Sequence, residues 1–222
     1  MKPWITLDTT TLPDGGTLSL QQRDQELVLR ANGVELMTSR AHGSEDALGE
    51  LGTAPIAARK RPRVLIGGLG MGFTLRAALD GLGPDADVII SELVEEVVAW
   101  NRGPLAHLAG NPLDDPRVTL LQGDVTRHIA RQETRLDAIL LDVDNGPEAL
   151  TAQANEGLYG EKGLERAFHA LTPGGILGVW SVSDDQAFSR RLKKARFQVK
   201  RHSVRAAGER GRRHLVWIAR RP

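Results

Sequence analysis

The sequence has no cysteine among its 222 residues and only one tyrosine. Without cysteine the chain has no disulfide, no thiolate nucleophile and no cysteine-ligated zinc, and this absence is typical of proteins in a reducing cytosol. No apolar run approaches the roughly 18 residues that a membrane span needs. The N-terminus MKPWITLDTT also lacks the apolar segment of a signal peptide. We therefore expect a cytoplasmic protein with no membrane partner.

An excess of charge of one sign is also absent, because the net charge is only +1. The charges are nevertheless distributed unevenly: the segment from Gln186 to Pro222 carries 13 Lys and Arg and one acid, Glu209. Such a run is usually a solvated face, and a nucleic-acid-binding surface is the alternative. We favour the solvated face and do not expect a nucleic-acid partner.

The pattern of apolar residues divides the chain into three parts. Residues 1–43 are predicted to form a small N-terminal β-hairpin domain, since Asn32-Gly33 is a strong hairpin-turn signal. Residues 44–62 are predicted to be a helix and a linker. In residues 63–222 apolar strands alternate with helices, which is typical of βαβ units and a parallel sheet. Strands are expected at 64–67, 88–91, 118–122, 138–141, 176–180, 197–202 and 215–219, with helices at 74–82, 94–101, 125–131, 162–170 and 185–195. The predicted fold class is α/β, with a doubly wound, seven-stranded, mainly parallel sheet.

A glycine-rich turn lies between the first predicted strand and helix of this α/β domain. Gly68, Gly70 and Gly72 allow positive φ angles and let a ligand approach the backbone closely. The spacing differs from the G-x-G-x-x-G of dinucleotide-binding turns, and no P-loop lysine follows. The turn therefore indicates a nucleotide site, with NAD and ATP as less favoured ligands.

Acidic residues follow the next three strands. Glu92 lies 20 residues after Gly72, where an acid can accept hydrogen bonds from ribose hydroxyls. Asp124 ends the third strand, and a helix cap explains it equally well when it is considered alone. Asp142 ends the fourth strand after an apolar run, so we expect it to point into the ligand cleft. A solvated turn could account for the segment that follows it, from Asp144 to Pro147.

These features together resemble the spermidine synthase family of polyamine aminopropyltransferases, which has the class I methyltransferase (Rossmann-like) fold. The Glu156-Gly157-Leu158-Tyr159 segment, the Leu171–Ile176 segment and the N-terminal hairpins add to the resemblance. It implies a homodimer in polyamine biosynthesis that uses decarboxylated S-adenosylmethionine or S-adenosylmethionine, an amine acceptor and no metal. It also implies site residues: Gly68, Gly70 and Gly72 for the nucleotide, Glu92 for ribose, Asp124 for adenine, Asp142 and Asp144 for catalysis, and Asn145, Glu156 and Tyr159 for the substrate.

The chain departs from the family pattern at positions that contact the cationic amine. The glycine turn has Leu69 and Met71 where an aspartate is usual, and Asn145 replaces a second loop aspartate. The family's Tyr-His-Glu triplet is absent, although Ser44-Glu45-Asp46 occurs nearby, with His42 as a further weak candidate. The alternatives are therefore a small-molecule methyltransferase and, less favoured, an RNA methyltransferase.

Overall fold

A computed structural model of the chain describes residues 2–13, 15–131, 135–143, 157–208 and 211–222. Two β-sheets, one of four strands and one of seven, carry the architecture. The four-stranded sheet contains β1 (Ile5–Thr11), β2 (Thr17–Arg23), β3 (Glu26–Ala31) and β4 (Val34–Thr38). The seven-stranded sheet contains β5 (Arg63–Gly67), β6 (Asp87–Glu92), β7 (Val118–Gln122), β8 (Leu136–Leu141), β9 (Leu171–Ser181), β10 (Gln198–Arg205) and β11 (Arg213–Arg220). The α-helices are α1 (Gly43–Thr53), α2 (Phe73–Asp80), α3 (Glu95–Asn101), α4 (Val125–Ala130), α5 (Glu161–Ala170) and α6 (Gln186–Lys194), and short 3₁₀ turns occupy Ala54–Ile56, Ala106–Ala109 and Pro112–Asp114.

The larger sheet has the strand order β10-β11-β9-β8-β5-β6-β7, and only β11 runs antiparallel to its neighbours. Its central strands are apolar along their whole length because helices cover both faces of the sheet. This arrangement confirms the predicted α/β fold class and all seven predicted strands. The chain leaves β5 toward β6 on one side and returns to β8 on the other, so the strand order reverses between β5 and β8. Open α/β sheets bind ligands beyond the carboxyl ends of the strands at such a reversal.

The N-terminal sheet packs beside this reversal point. One continuous cluster of buried side chains joins Leu20 and Leu29 of that sheet to Met71 and Phe73 after β5. A hydrogen bond from Trp100 Nε1 to Asp8 Oδ2 (2.7 Å) adds a polar link between β1 and α3. The four-stranded sheet is thus fastened next to the glycine turn.

Helix α1 lies on the larger sheet and runs alongside α2. The two helices are so close that a Cβ atom added at Gly49 would lie 2.6 Å from the Ala77 Cβ and 2.8 Å from the Ala78 backbone nitrogen. The backbone nitrogen of Gly43 donates a hydrogen bond to the carbonyl of Ala206 (2.8 Å), which fixes the start of α1 near the larger sheet. The contact between α1 and α2 holds Ser44 and Glu45, in the first turn of α1, at the end of the sheet where ligands are expected.

Among the residues that the structure describes, no helix is both long enough and apolar enough to cross a membrane.

We predict that Gly49→Ala destabilises the protein although alanine is the better helix former. The new methyl group meets backbone atoms of α2 that cannot move aside separately, and overpacking of this kind typically costs about 1 to 3 kcal/mol. The gain in helix propensity is at most about 1 kcal/mol. Gly103→Ala is the control, because the atom nearest to its new Cβ, the carbonyl oxygen of Ala99, would lie at an ordinary 3.4 Å. Urea unfolding measures both variants, and a Gly49→Ala variant as stable as the wild type would contradict the close helix contact.

Candidate active site

The glycine turn after β5 has the backbone geometry that the sequence indicates. Gly68, Gly70 and Gly72 have φ angles of +85°, +52° and +84°. A Cβ atom at Gly68 would collide with the carbonyl oxygen of Asp142, and the Gly68 nitrogen donates to the carbonyl of Ser91 (2.9 Å). The turn therefore passes between the ends of β6 and β8, and only glycine fits at its closest point.

Glu92 lies at the end of β6 with only 7% of its surface exposed. Its Oε2 accepts a hydrogen bond from the Leu69 nitrogen and its Oε1 accepts one from the Val94 nitrogen, both at 2.8 Å. Burial raises the pKa of this carboxyl, and these hydrogen bonds act in the opposite direction. Glu92 thus fastens the glycine turn to β6. The backbone groups of Leu93 and Gly70 also favour its charged form, and contact of this carboxylate with ribose hydroxyls stays a prediction.

Asp124 caps helix α4 in the structure. Its Oδ1 accepts a hydrogen bond from the Thr126 nitrogen (2.8 Å), so the helix-cap explanation accounts for this contact. The preceding Gly123 has a φ of +129°, and its nitrogen donates to the carbonyl of Glu92 (2.7 Å). A Cβ at Gly123 would have His128 Nε2 as its nearest neighbour, 3.8 Å away, so the backbone is open here. Contact of Asp124 with adenine stays a prediction.

Asp142 follows β8 and lies beside the glycine turn. Its nitrogen donates to the carbonyl of Gly67 (2.9 Å), and its Oδ2 accepts a hydrogen bond from Thr74 Oγ1 (2.7 Å) in the first turn of α2. The residue as a whole is half-buried, with its carboxyl turned inward to Thr74. Burial raises the pKa of Asp142 to about 6, and the Thr74 hydrogen bond opposes that rise.

Glu45 in α1 is a second acid of this site, and our reading of the sequence did not single it out. It is 4% exposed, and burial raises its pKa to about 7, with the nearby charge of Asp142 as the next cause. Two carboxyls that interact in this way titrate as a pair, and one of them retains a proton near neutral pH. The available signal was the Ser44-Glu45-Asp46 segment, but acids in the first turn of a helix are common for electrostatic reasons alone.

Two histidines flank the acid pair. Ser44 Oγ donates to Glu45 Oε2 and lies 2.9 Å from Nδ1 of His214 on β11. Burial lowers the pKa of His214, and the charge of Arg212 lowers it further. His42, just before α1, stacks on Phe73 with ring centroids 3.9 Å apart, and its Nδ1 lies 2.7 Å from Asp46 Oδ2.

Tyr159, which the resemblance assigns to the substrate, lies in a buried cluster, and its contact with substrate stays a prediction. Its side chain is 2% exposed and packs edge to face on Phe188, with ring centroids 5.6 Å apart, in the core cluster that also contains Trp217. The segment before α5 turns its apolar side inward, so the ring serves packing. Three further expected site residues, Asp144, Asn145 and Glu156, lie outside the described residues. No group of three metal-ligating side chains occurs in the described part of the chain.

The raised pKa values predict that the acid pair destabilises the fold at alkaline pH. A carboxyl whose pKa is higher in the folded than in the unfolded state contributes its stability below the unfolded value near 4 and loses it as the pH rises through the folded value. For Asp142 that window runs from about pH 4 to about pH 6. Asp142→Asn should therefore be more stable than the wild type at pH 8, by about 1 to 3 kcal/mol, and gain little at pH 4.

Asp115→Asn is the control, because its effect on stability should change with pH in the opposite direction. The hydrogen bond from Arg117 lowers the pKa of Asp115 to about 2, so this variant should lose stability above pH 4. Denaturant unfolding between pH 4 and 8 measures both variants. If Asp142→Asn gains nothing on going from pH 4 to pH 8, the carboxyl has an ordinary pKa.

Comparisons with known proteins place this geometry in context. No protein-family model matches the chain. Polyamine aminopropyltransferase 2 of Pseudomonas aeruginosa is 35% identical over 179 residues, which cover 75% of this chain and 48% of that protein. The chain thus spans about half the length of the curated relatives it matches.

Solved structures support the same relationship at the level of fold. A spermidine synthase in complex with the transition state analogue AdoDATO superposes with a TM-score of 0.77 at 17% identity, over 98% of this chain and 72% of that one. Spermidine synthase from Thermotoga maritima gives 0.75 at 19% identity, over 98% and 73%. The chain is thus similar in sequence to polyamine aminopropyltransferases and in fold to spermidine synthases, the resemblance that its glycine turn and strand-end acids indicated.

Proposed function

We propose that the chain transfers an aminopropyl group from decarboxylated S-adenosylmethionine to an amine. The observation that carries this proposal is the buried acid pair Asp142 and Glu45, which lies beside the glycine turn at the reversal point of the sheet. The relatives named above are aminopropyltransferases and spermidine synthases, which supports the same reaction class.

The acid pair has the properties that amine alkylation needs. An alkyl ammonium has a pKa near 10.4, so at neutral pH it carries a proton and has no lone pair with which to attack. A carboxylate next to it binds the cation and takes the proton, and a base with a pKa near the working pH does this well. Asp142, with a pKa of about 6, fits that role, and Glu45, with a pKa of about 7, is the neighbouring carboxyl with which it shares a proton. The sulfonium is already a good leaving group, so correct positioning contributes much of the remaining acceleration.

The nucleotide is proposed to lie across the ends of β5, β6 and β7. The glycine turn offers close backbone approach, the Glu92 carboxylate at the end of β6 is the proposed acceptor for the ribose hydroxyls, and the open backbone at Gly123 leaves room for the adenine beside Asp124. Each group comes from the carboxyl end of a neighbouring parallel strand, so the three contacts face a single crevice.

Transfer of a methyl group from S-adenosylmethionine is the second candidate, and one observation favours it. The Met37 side chain of β4 covers the glycine turn: its Sδ lies 3.3 Å from the Met71 nitrogen, and a Cβ at Gly70 would meet its Cε at 2.9 Å. An apolar thioether at this position offers no charge to the ammonium of a decarboxylated donor, whereas S-adenosylmethionine carries its own carboxylate beside its ammonium. Methyl and aminopropyl transfer proceed by the same displacement at sulfur, so the acid pair serves both reactions.

The location and assembly of the protein remain part of the proposal. A cytoplasmic homodimer accords with the resemblance and with the absence of cysteine. Large apolar side chains are exposed on the N-terminal sheet, with Ile5 at 63% and Val34 at 65%, and they could bury one another in a dimer.

In the basic C-terminal segment, Arg201 pairs with Asp184 and Lys194 pairs with Glu161, which supports a solvated face over a nucleic-acid site.

Binding of the nucleotide is predicted to depend on Glu92. Glu92→Ala removes charged hydrogen bonds worth about 1.5 to 3 kcal/mol, so affinity for methylthioadenosine should fall by about 10- to 100-fold. Glu95→Ala, an exposed acid at the start of α3, is the control and should bind as the wild type does. Calorimetry measures the affinity and circular dichroism checks the fold. Equal affinity in the folded Glu92→Ala variant would mean that the ribose lies elsewhere.

Catalysis is predicted to depend on Asp142. Asp142→Asn keeps the shape and can still accept the Thr74 hydrogen bond, but it cannot take the proton. Turnover should fall by about 100- to 10,000-fold with nucleotide affinity retained. Asp87→Asn, at the opposite end of β6, is the control. Mass spectrometry of reactions with each donor and with putrescine, spermidine or a monoamine identifies the product. Undiminished turnover in Asp142→Asn would exclude it as the base, and methylated products would select the second candidate.

A further inference from the structure

The reaction requires that one proton leaves the site in every turnover. A protonated amine and a sulfonium enter with one positive charge each. The amine gives a proton to a carboxylate, its nitrogen lone pair forms the new N–C bond, and the C–S bond breaks with its electron pair going to sulfur. The products are a neutral thioether and one secondary ammonium, so the proton held by the carboxylate is left over. This balance holds whether the transferred group is aminopropyl or methyl.

Of the two acids, Glu45 is the one shielded from solvent. Glu45 is 4% exposed and the adjoining Ser44 is 0% exposed. The neighbouring α2 contributes Thr74, whose hydroxyl contacts the Asp142 carboxylate at 2.7 Å and the Glu45 carbonyl at 3.2 Å. Neither contact gives the proton a titratable group through which to leave. A route through other side chains is therefore needed before the next acceptor amine can be deprotonated.

The described residues contain a hydrogen-bonded route of this kind that starts at Glu45. Ser44 Oγ is hydrogen-bonded to Glu45 Oε2 on one side and lies 2.9 Å from His214 Nδ1 on the other. His214 lies on β11 and is half-buried, with its ring edge to face against Trp180 at a centroid distance of 4.9 Å. We propose that Ser44 and His214 form a proton relay that connects the acid pair with solvent, an inference that rests on the proposed function.

The chemistry of the three groups suits a relay. A hydroxyl carries one proton and two lone pairs, so Ser44 can accept a proton from Glu45 while it passes its own proton to His214 Nδ1. The resulting imidazolium then gives a proton to water. Burial and Arg212 lower the pKa of His214, which favours this release. At the Glu45 end of the relay, Asp142 after β8 and Asp46 in α1 place negative charge near Glu45. This charge favours protonation of the carboxyls by the next acceptor amine.

A hydroxyl between a helix and a strand could also serve only to anchor α1 to β11, so the experiment needs matched controls. Ser189→Ala removes a hydroxyl that likewise forms a hydrogen bond with an aromatic ring nitrogen, since it accepts one from Trp217 Nε1 at 2.9 Å. His202→Ala removes a histidine from β10, the strand adjacent to His214 on β11. Neither control residue contacts the acid pair.

The test compares Ser44→Ala and His214→Ala with these controls in steady-state assays. We expect kcat to fall by about 10- to 100-fold in both relay variants with the KM for the nucleotide donor unchanged, and the double variant to be no worse than either single one. Added imidazole should restore turnover of His214→Ala in proportion to its concentration and leave Ser44→Ala unchanged. Wild-type kcat in both relay variants, or a loss in His214→Ala that imidazole does not restore, would overturn the relay.

A second measurement separates failure of the relay from failure of the proposed function. If the wild type transfers no group from either donor, the proposed function fails, and the proton connection is then tested by NMR titration of His214. Glu45→Gln should lower the pKa of His214 when Ser44 is present. The same substitution should lower this pKa by less in the Ser44→Ala background. An equal effect of Glu45→Gln with and without the hydroxyl would show that no relay joins the two groups.

Discussion

The close packing of α1 on α2 is the contact on which the site depends. Helices that bear side chains at their contact usually lie 8 to 10 Å apart, and glycine allows a closer approach. Gly49 removes the side chain at this contact, so the first turn of α1 comes next to the first turn of α2. That approach brings Glu45 near Asp142, although Glu45 precedes the glycine turn in the sequence and Asp142 follows it by 70 residues.

The proximity of these acids lowers the stability of the fold at neutral pH, a cost that a role in proton transfer would explain. Two buried carboxyls cannot both ionise cheaply, and each raised pKa reduces stability at neutral pH. Glu92 shows the same compromise, since burial raises its pKa while two backbone nitrogens stabilise its charge. Groups with perturbed pKa values therefore cluster around the glycine turn, as is typical of sites that exchange protons.

Much of this molecule could be predicted along the chain. Apolar runs separated by turn residues located the strands of the larger sheet, because strands covered on both faces must be apolar throughout. Asp142 was identifiable because a charged residue directly after such a run is poorly explained by packing. β1 was harder to delimit, since nearly all its residues are exposed and no alternation marks its ends. Tyr159 illustrates what is harder to predict, because the local motif does not reveal that its ring packs in a buried aromatic cluster.

The sequence by itself determined the fold class, the glycine turn and the acids at the strand ends, because these depend on local periodicity and on neighbouring residues. Only the tertiary structure decided which distant groups meet. Glu45 and Ser44 reach the candidate site through the approach of α1 to α2, and His214 reaches Ser44 because the antiparallel β11 inserts beside β9. Burial, which sets the pKa values of the acid pair, likewise depends on all the elements packed around it and is not encoded in any short segment.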